Sequence, residues 1–130
     1  MTPRERQRAS QLRLDLQRGQ KKLGVILQRL QGSSAMMRGS VYQRARRCGK
    51  ARCRCVVGEV HRDRVLALRR AGKVLVRRLD PVGDAAMEAA VRAWRFFEND
   101  RLEAVRACRG LMETVRRLGR LREVKGGDGR

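Results

Sequence analysis

The chain has 130 residues, with 33 Lys and Arg against 13 Asp and Glu, and a formal net charge of +20 at pH 7. Hydrophobic residues make up 42% and aromatic residues 3%, which excludes a wholly disordered basic tail and suffices for one small domain. No apolar run approaches the roughly 18 residues of a membrane span, and the first residues lack the apolar stretch of a secretory signal. We therefore expect a cytoplasmic protein with no membrane partner.

The positive charge is concentrated in the first two thirds of the chain. Residues 1–40 hold 9 basic and 2 acidic residues, residues 41–80 hold 13 and 3, and residues 81–130 hold 11 and 8. A GC-rich coding sequence would explain Arg in place of Lys, but it explains the shortage of acids less well. The central maximum favours a polyanionic partner, with nucleic acid as the leading ligand.

The first segment has the pattern of an amphipathic helix. Thr2 and Pro3 are a typical cap and first-turn residue, and the segment predicted to be helical is 1–31. Apolar residues recur every three or four positions; they are Ala9, Leu12, Leu16, Leu23, Ile26 and Leu30. A targeting peptide or a membrane-surface helix is the alternative, which the absence of Trp and Phe from this stripe disfavours.

Residues 32–80 are predicted to form a zinc knuckle followed by a short β-hairpin. Two aliphatic runs, residues 65–68 and 74–76, flank Ala71-Gly72, where Gly can adopt positive φ. This arrangement is typical of a hairpin turn.

A second long helix is predicted within residues 81–122, after the N-cap candidate Asp84, and a flexible tail within 123–130. Its apolar stripe is Val91, Trp94, Phe97, Val105, Cys108, Met112, Val115 and Leu118. We expect Cys108 and the aromatic residues 94, 96 and 97 to be core residues. The predicted fold is mostly α with a small β insert, the two long helices forming an antiparallel hairpin.

Three of the four cysteines and the only histidine lie within fourteen consecutive positions: Cys48, Cys53, Cys55 and His61. Thiolate and imidazole are the ligands that zinc prefers, and a Cys3His tetrahedron is a common structural site. The spacing C-x4-C-x-C-x5-H therefore predicts structural Zn2+. Free thiols, a disulfide and an iron–sulfur cluster remain alternatives. If His61 does not bind the metal, Asp63 or Cys108 would be the fourth ligand.

Eight basic residues surround this motif: Arg44, Arg46, Arg47, Lys50, Arg52, Arg54, Arg62 and Arg64. Each guanidinium can pair with phosphate oxygens or a guanine edge, so we expect these residues to bind DNA or RNA. Tyr42 is the candidate for stacking on a base. The alternative is a helical adaptor that binds a partner protein or self-associates, with the charge only assisting.

Catalysis finds little support in the sequence. A zinc deaminase needs His-x-Glu with Pro-Cys-x-x-Cys, and neither motif occurs. No cluster of carboxylates suggests a two-metal nuclease. A saturated Cys3His site would leave no open coordination position for a substrate. We therefore expect a protein that is not an enzyme.

The run from Cys48 to His61, with its CGK-x2-C-x-C-x2-GE-x-H pattern, resembles an uncharacterised family of short prokaryotic proteins, a domain of unknown function sometimes encoded beside transposases. The resemblance covers about residues 39–118. It implies a metal knuckle and a prokaryotic or mobile-element setting, in the cytoplasm or nucleoid. We expect an accessory factor of a mobile element or of a nucleoprotein complex. The chain departs from the family after the histidine, where residues 62–66 replace Gly-Pro and a tyrosine-rich strand.

Overall fold

In the computed structural model, which describes residues 1–124, one long helix precedes a small antiparallel sheet in the chain and a second long helix follows it. The elements are α1 (Pro3–Leu30), β1 (Ser40–Arg46), a 3-10 turn (Arg54–Val56), β2 (His61–Arg70), β3 (Lys73–Arg78) and α2 (Ala85–Arg122). This order confirms the prediction of a mostly α fold with a small β insert. Most of the predicted tail, from residue 125 onward, lies outside the described residues. No described helix is both long and apolar enough to cross a membrane.

Helix α1 begins where its capping residues predict. The Thr2 hydroxyl accepts a hydrogen bond from the Glu5 amide at 3.1 Å, and the Glu5 carboxylate accepts one from the Thr2 amide at 2.7 Å. This reciprocal pair satisfies two amides that the first turn leaves without helical partners. The predicted apolar stripe is the face that becomes buried, since Ala9, Leu12 and Ile26 are all buried.

The sheet has the strand order β1-β2-β3, one strand more than the predicted hairpin. The hairpin itself is confirmed as β2–β3, with Ala71 (φ 48°) and Gly72 (φ 76°) between its strands. Two positive φ values match the right-handed twist of the flanking strands. Strand β1 escaped prediction because its polar residues obscure the two-residue alternation.

One face of the sheet packs against the start of α2. Leu66, Leu79 and Val91 form the buried core of this region, and partly buried hydrophobic residues surround them; these are Met37, Val41, Leu68 and Met87. The Met37 amide donates to the Ala90 carbonyl at 3.0 Å. Asp84 directly precedes the helix, and its carboxylate accepts hydrogen bonds from the Asp80 amide and the Arg77 guanidinium.

The chain divides into two compact units, and α2 contributes to both. One unit comprises residues 33–96; the other comprises Met1–Gly32 and the chain from Phe97 onward. Within the second of these, Arg29 forms ion pairs with Asp100 at 3.0 Å and Glu103 at 3.1 Å. The first turns of α2 belong to the same unit as the sheet.

The C-terminal half of α2 buries a different stripe from the one we predicted. Ala104 is buried, whereas Cys108, Met112 and Val115 are exposed, so the prediction that Cys108 is a core residue is wrong. Phe96 is also wrong as a core residue, because it is 63% exposed. The apolar residues of α2 span a wider arc than a single partner helix covers, and periodicity alone does not identify which part is covered.

Trp94 and Phe97, which we expect in the core, are half-buried and do not belong to the fully buried core residues of the described chain. The guanidinium carbon of Arg38 lies 4.7 Å from the centre of the Trp94 ring. This distance is typical of a cation–π contact. Trp94 therefore serves a structural interaction rather than presenting a free ring to a ligand.

Two glycines of α1 make a matched stability test. A Cβ at Gly19 would lie 2.5 Å from Leu111 Cδ2, whereas a Cβ at Gly24 meets nothing within 4 Å. We expect Gly24→Ala to raise the free energy of unfolding by about 1 kcal/mol, the helix-propensity difference. Gly19→Ala should lose that gain because Leu111 must move. Urea unfolding measures both, and equal stabilisation would contradict the close packing of Gly19 on Leu111.

Candidate metal centre and basic surface

The pairing of β1 with β2 brings the four predicted ligands together. Arg46 lies opposite His61 in the register, so the two ends of the loop 47–60 meet. Cys48 follows β1 directly, and Cys53 and Cys55 lie at the 3-10 turn. The ligand atoms of the four residues all lie within 4.8 Å of one another.

The distances within this cluster suit a small tetrahedral metal. The Cys48 and Cys55 sulfurs are 3.6 Å apart, and Cys53 Sγ lies 3.1 Å from His61 Nε2. Zinc–sulfur bonds of about 2.3 Å in a tetrahedron place two sulfurs roughly 3.8 Å apart. None of the four cysteines forms a disulfide. The residues therefore fit a metal ion, and neither Asp63 nor Cys108 belongs to the cluster.

Backbone amides of the loop point at the sulfurs. The Cys48 amide donates to Cys55 Sγ at 3.5 Å. The Lys50 amide donates to the Cys48 sulfur and, with smaller contributions from Cys53, His61 and Cys55, lowers the pKa of Cys48 to about 6. Such hydrogen bonds favour a thiolate, which is the form that binds a metal.

The pKa of Cys53 moves in the opposite direction. The Cys55 amide lowers it, but the Cys48 and Cys55 side chains and partial burial together outweigh that hydrogen bond, so the pKa of Cys53 is raised. A second thiolate beside the first would be repelled by it. A divalent cation removes this repulsion because it attracts both sulfurs, so the donor set is suited to binding a cation.

The Arg47 side chain stabilises the loop by binding two of the loop's backbone carbonyl groups. Its NH1 group donates to the Cys55 carbonyl at 2.7 Å and to the Val56 carbonyl at 2.6 Å. Gly49 has φ +80°, a conformation that favours glycine, and allows the chain to turn directly after Cys48. Arg47 is also one of the predicted nucleic-acid contacts, and within the fold it orients the segment that carries Cys55.

Three more of the eight predicted basic residues also have partners within the fold. Arg44 binds Asp63 through two hydrogen bonds, at 3.1 and 3.4 Å, and Arg46 lies 3.9 Å from the same carboxylate. Arg64 pairs with Glu88 of α2. These contacts fix the positions of the three side chains, and the Arg44 and Arg46 side chains remain 34% and 52% exposed.

The other four basic residues are exposed, and their side chains form no hydrogen bond or ion pair with the rest of the described chain: Lys50, Arg52, Arg54 and Arg62. The first three lie on the loop that carries the metal ligands, and the fourth follows His61. These residues are therefore the free cations of the predicted set, and we call them the loop cations.

Sequence reasoning missed Arg78, which lies beside this region because β3 pairs with β2. Val65 of β2 lies opposite Arg78. The pKa of Asp63 is lowered chiefly by its hydrogen bond to Arg44, with further contributions from Arg46 and Arg78. Asp63, the alternative fourth metal ligand, therefore pairs with Arg44 and Arg46, and Arg78 adds to the positive charge that it faces. The register of β3 was the missing information.

A family model with the description Domain of unknown function (DUF6788) matches residues 13–82. The matched range includes most of α1, the Cys/His cluster and all three strands, and it overlaps the resemblance noted in the sequence over residues 39–82. The chain matches no curated protein and no solved structure.

Metal analysis of purified variants tests the cluster. We expect one zinc ion per wild-type chain and one per Cys108→Ser chain, because Cys108 is exposed and lies outside the cluster. The Cys53→Ser, Cys55→Ser double variant should hold none, since two of four ligands are lost. Elemental analysis measures the content.

A chelator supplies the second readout for the same cluster. It should lower the melting temperature of the wild type and leave that of the double variant unchanged, because metal binding contributes free energy to folding. Acidification should release the metal from the wild type, since protons compete for thiolate and imidazole. Equal zinc in the wild type and the double variant would contradict the site.

Proposed function

We propose that this chain, which belongs to the family described as Domain of unknown function (DUF6788), is a zinc-stabilised, non-enzymatic nucleic-acid-binding protein. One observation carries the proposal: the loop that bears the candidate metal ligands also bears exposed cations with no partner in the described chain. A loop held in one conformation presents its cations at lower entropic cost than a flexible one.

The choice of zinc follows from the donor set. Three sulfurs and one imidazole nitrogen suit a borderline-soft cation, and hard cations such as Mg2+ prefer oxygen ligands. Four protein ligands fill a tetrahedral site and leave no position for a substrate, which favours a structural role over a catalytic one. Zn2+ with three thiolates has a net charge of −1, so the positive surface is due to the basic side chains.

The choice of nucleic acid follows from the type and number of the charges. Residues 41–80 hold 13 basic and 3 acidic residues, and one of those acids, Asp63, is already paired with Arg44 and Arg46. Arginine pairs with phosphate oxygens in a fixed geometry. An accessory role in a mobile element or nucleoprotein complex of a prokaryotic cell is the setting that the sequence resemblance suggests.

A second candidate function is self-association as a helical adaptor. Val105 and Met112 of α2 are 37% and 59% exposed, and with Cys108 they line a cavity on one side of the helix. Apolar side chains clustered in this way favour a protein contact. In this alternative the basic charge only assists assembly.

A salt titration of nucleic-acid binding separates the two candidates. The variant Lys50→Gln, Arg52→Gln, Arg54→Gln, Arg62→Gln removes the loop cations. A matched control removes four charges from α2 at residues that form no described ion pair: Arg106, Arg109, Arg120 and Arg122. Fluorescence anisotropy with labelled DNA and RNA gives the slope of log K against log salt.

We expect wild-type slopes of roughly −5 to −7 on duplex DNA for six to eight phosphate contacts. The loop variant should lose about 0.9 of slope for each phosphate contact removed, and the α2 control should keep the wild-type slope. Slopes near zero for the wild type on both DNA and RNA would refute nucleic-acid binding. That result, together with a dimer by light scattering, would favour the adaptor.

A further inference from the structure

The register of the strands identifies the residues on the outer face of the sheet. Directly paired residues share a face, and successive residues of a strand alternate between faces. Leu66 lies on the face that packs against Val91 of α2, so Val65 lies on the opposite one. Val65 pairs with Tyr42 of β1 and with Arg78 of β3.

The same alternation adds Arg44 and Arg46 to the side that carries Tyr42, because they follow it by two and four residues along β1. We call this set of side chains, Tyr42, Arg44, Arg46 and Arg78, the outer face. Tyr42 is 43% exposed, and the Arg44 and Arg46 side chains are 34% and 52% exposed. The ring and the three guanidinium-bearing side chains therefore lie around Val65, which is itself buried, on one side of the sheet.

The outer face has a net positive charge. Asp63 is the one acidic residue in the three strands, and its side chain, which pairs with Arg44, is 7% exposed. Hydrogen bonding to Asp63 raises the pKa of Arg44, and Tyr42 lies close enough to contribute to the same shift. One carboxylate for three guanidinium groups leaves an excess of positive charge next to the aromatic ring.

The outer face is continuous with the candidate metal centre. His61 lies on the same side as Asp63 and Val65, two and four residues along β2, and it pairs with Arg46. The loop that carries Lys50, Arg52 and Arg54 connects the end of β1 to the start of β2, next to Arg46 and His61. A polyanion that contacts the loop cations therefore meets the outer face next.

An exposed ring among cations selects for unpaired bases. Aromatic side chains stack on the faces of bases, whereas a duplex offers a protein base edges in its grooves and phosphates on its outside. Guanidinium groups on either side of the ring would contact the backbone that connects successive bases. The arrangement thus combines the two interactions that single-stranded nucleic acid requires.

We propose that the outer face binds single-stranded nucleic acid, with one base stacked on Tyr42 and the backbone held by Arg44, Arg46 and Arg78. This inference rests on the proposed function and specifies its substrate class. Tyr42 is the one aromatic residue in the sheet, so it provides a single stacking position. Binding on this face would therefore depend weakly on base sequence.

Substitution of Tyr42 in the zinc-loaded full chain tests this proposal. The probes are a fluorescein-labelled oligothymidine, an oligouridine and a DNA duplex of matched length. Tyr42→Ala should weaken binding of the single strands by about 5- to 150-fold, the range for loss of one stacked base. Tyr42→Phe should retain the wild-type affinity because it keeps the ring. The salt slope should not change in either variant, since neither removes a charge.

A pair of adjacent arginines tests which face is used. Arg78→Gln should reduce the single-strand salt slope by about 0.7, the value for one phosphate contact. Arg77→Gln is the matched control, because Arg77 pairs with Asp84 at 2.7 Å on the side of α2. It should keep the wild-type slope. Equal effects of the two variants would contradict the outer face as the binding surface.

The outcomes distinguish this inference from the function on which it rests. Melting temperature and zinc content show whether each variant folds, and Tyr42→Leu, which keeps apolar bulk, replaces Tyr42→Ala if that variant unfolds. The inference is overturned if the folded Tyr42→Ala or Tyr42→Leu variant binds single strands with wild-type affinity. It is also overturned if the protein binds the duplex more tightly than both single strands. Neither result overturns the proposed function. Absence of salt-dependent binding to all three probes overturns both.

Discussion

The loop between β1 and β2 has to be held in one conformation without a hydrophobic core of its own. Of residues 47–60, all of them within the described range, Cys55 alone is fully buried. The pairing of Arg46 with His61 joins the ends of the loop, and Arg47 fixes two of its carbonyl groups. Backbone amides that donate to the Cys48 and Cys55 sulfurs help to hold the metal-ligand side chains together. A metal ion supplies the free energy that burial does not.

This constraint also determines which cations are available to a ligand. Arg47 is used to close the loop, and Arg44, Arg46 and Arg64 interact with acids of the sheet and of α2. The loop cations have no such partners, and the outer face has more guanidinium groups than carboxylates. The basic residues of this region therefore have two roles. Some form contacts that stabilise the fold, and others lie beside the candidate metal centre and are available to a ligand.

Local chemistry made much of this fold predictable from the sequence. The Thr2 cap and the apolar stripe predicted α1, the Ala71-Gly72 turn predicted the β2–β3 hairpin, and the spacing of the cysteines and the histidine predicted which side chains lie together. Each of these signals depends on residues close in sequence. Long-range pairing was less accessible, since β1 is recognisable chiefly from its partner β2.

The sequence also failed to identify the buried face of α2. Ala104 and Cys108 are separated by four residues, and apolar periodicity does not distinguish them, although one is buried and the other exposed. The small side chain of Ala104 permits close packing, and the surface that packs against α2 determines which of the two residues is buried. For the same reason the roles of Arg47 and Arg78 required the backbone of the loop and the register of β3.

Hydrogen exchange of the loop amides tests the central claim most directly. The full chain would be compared with and without one equivalent of Zn2+, with exchange followed at each amide of residues 48–61. Zinc should slow exchange at Cys48, Lys50 and Cys55, whose amides point at the sulfurs, and leave the middle of α1 unchanged. Identical exchange of the loop in the two samples would contradict a loop held in place by a metal ion.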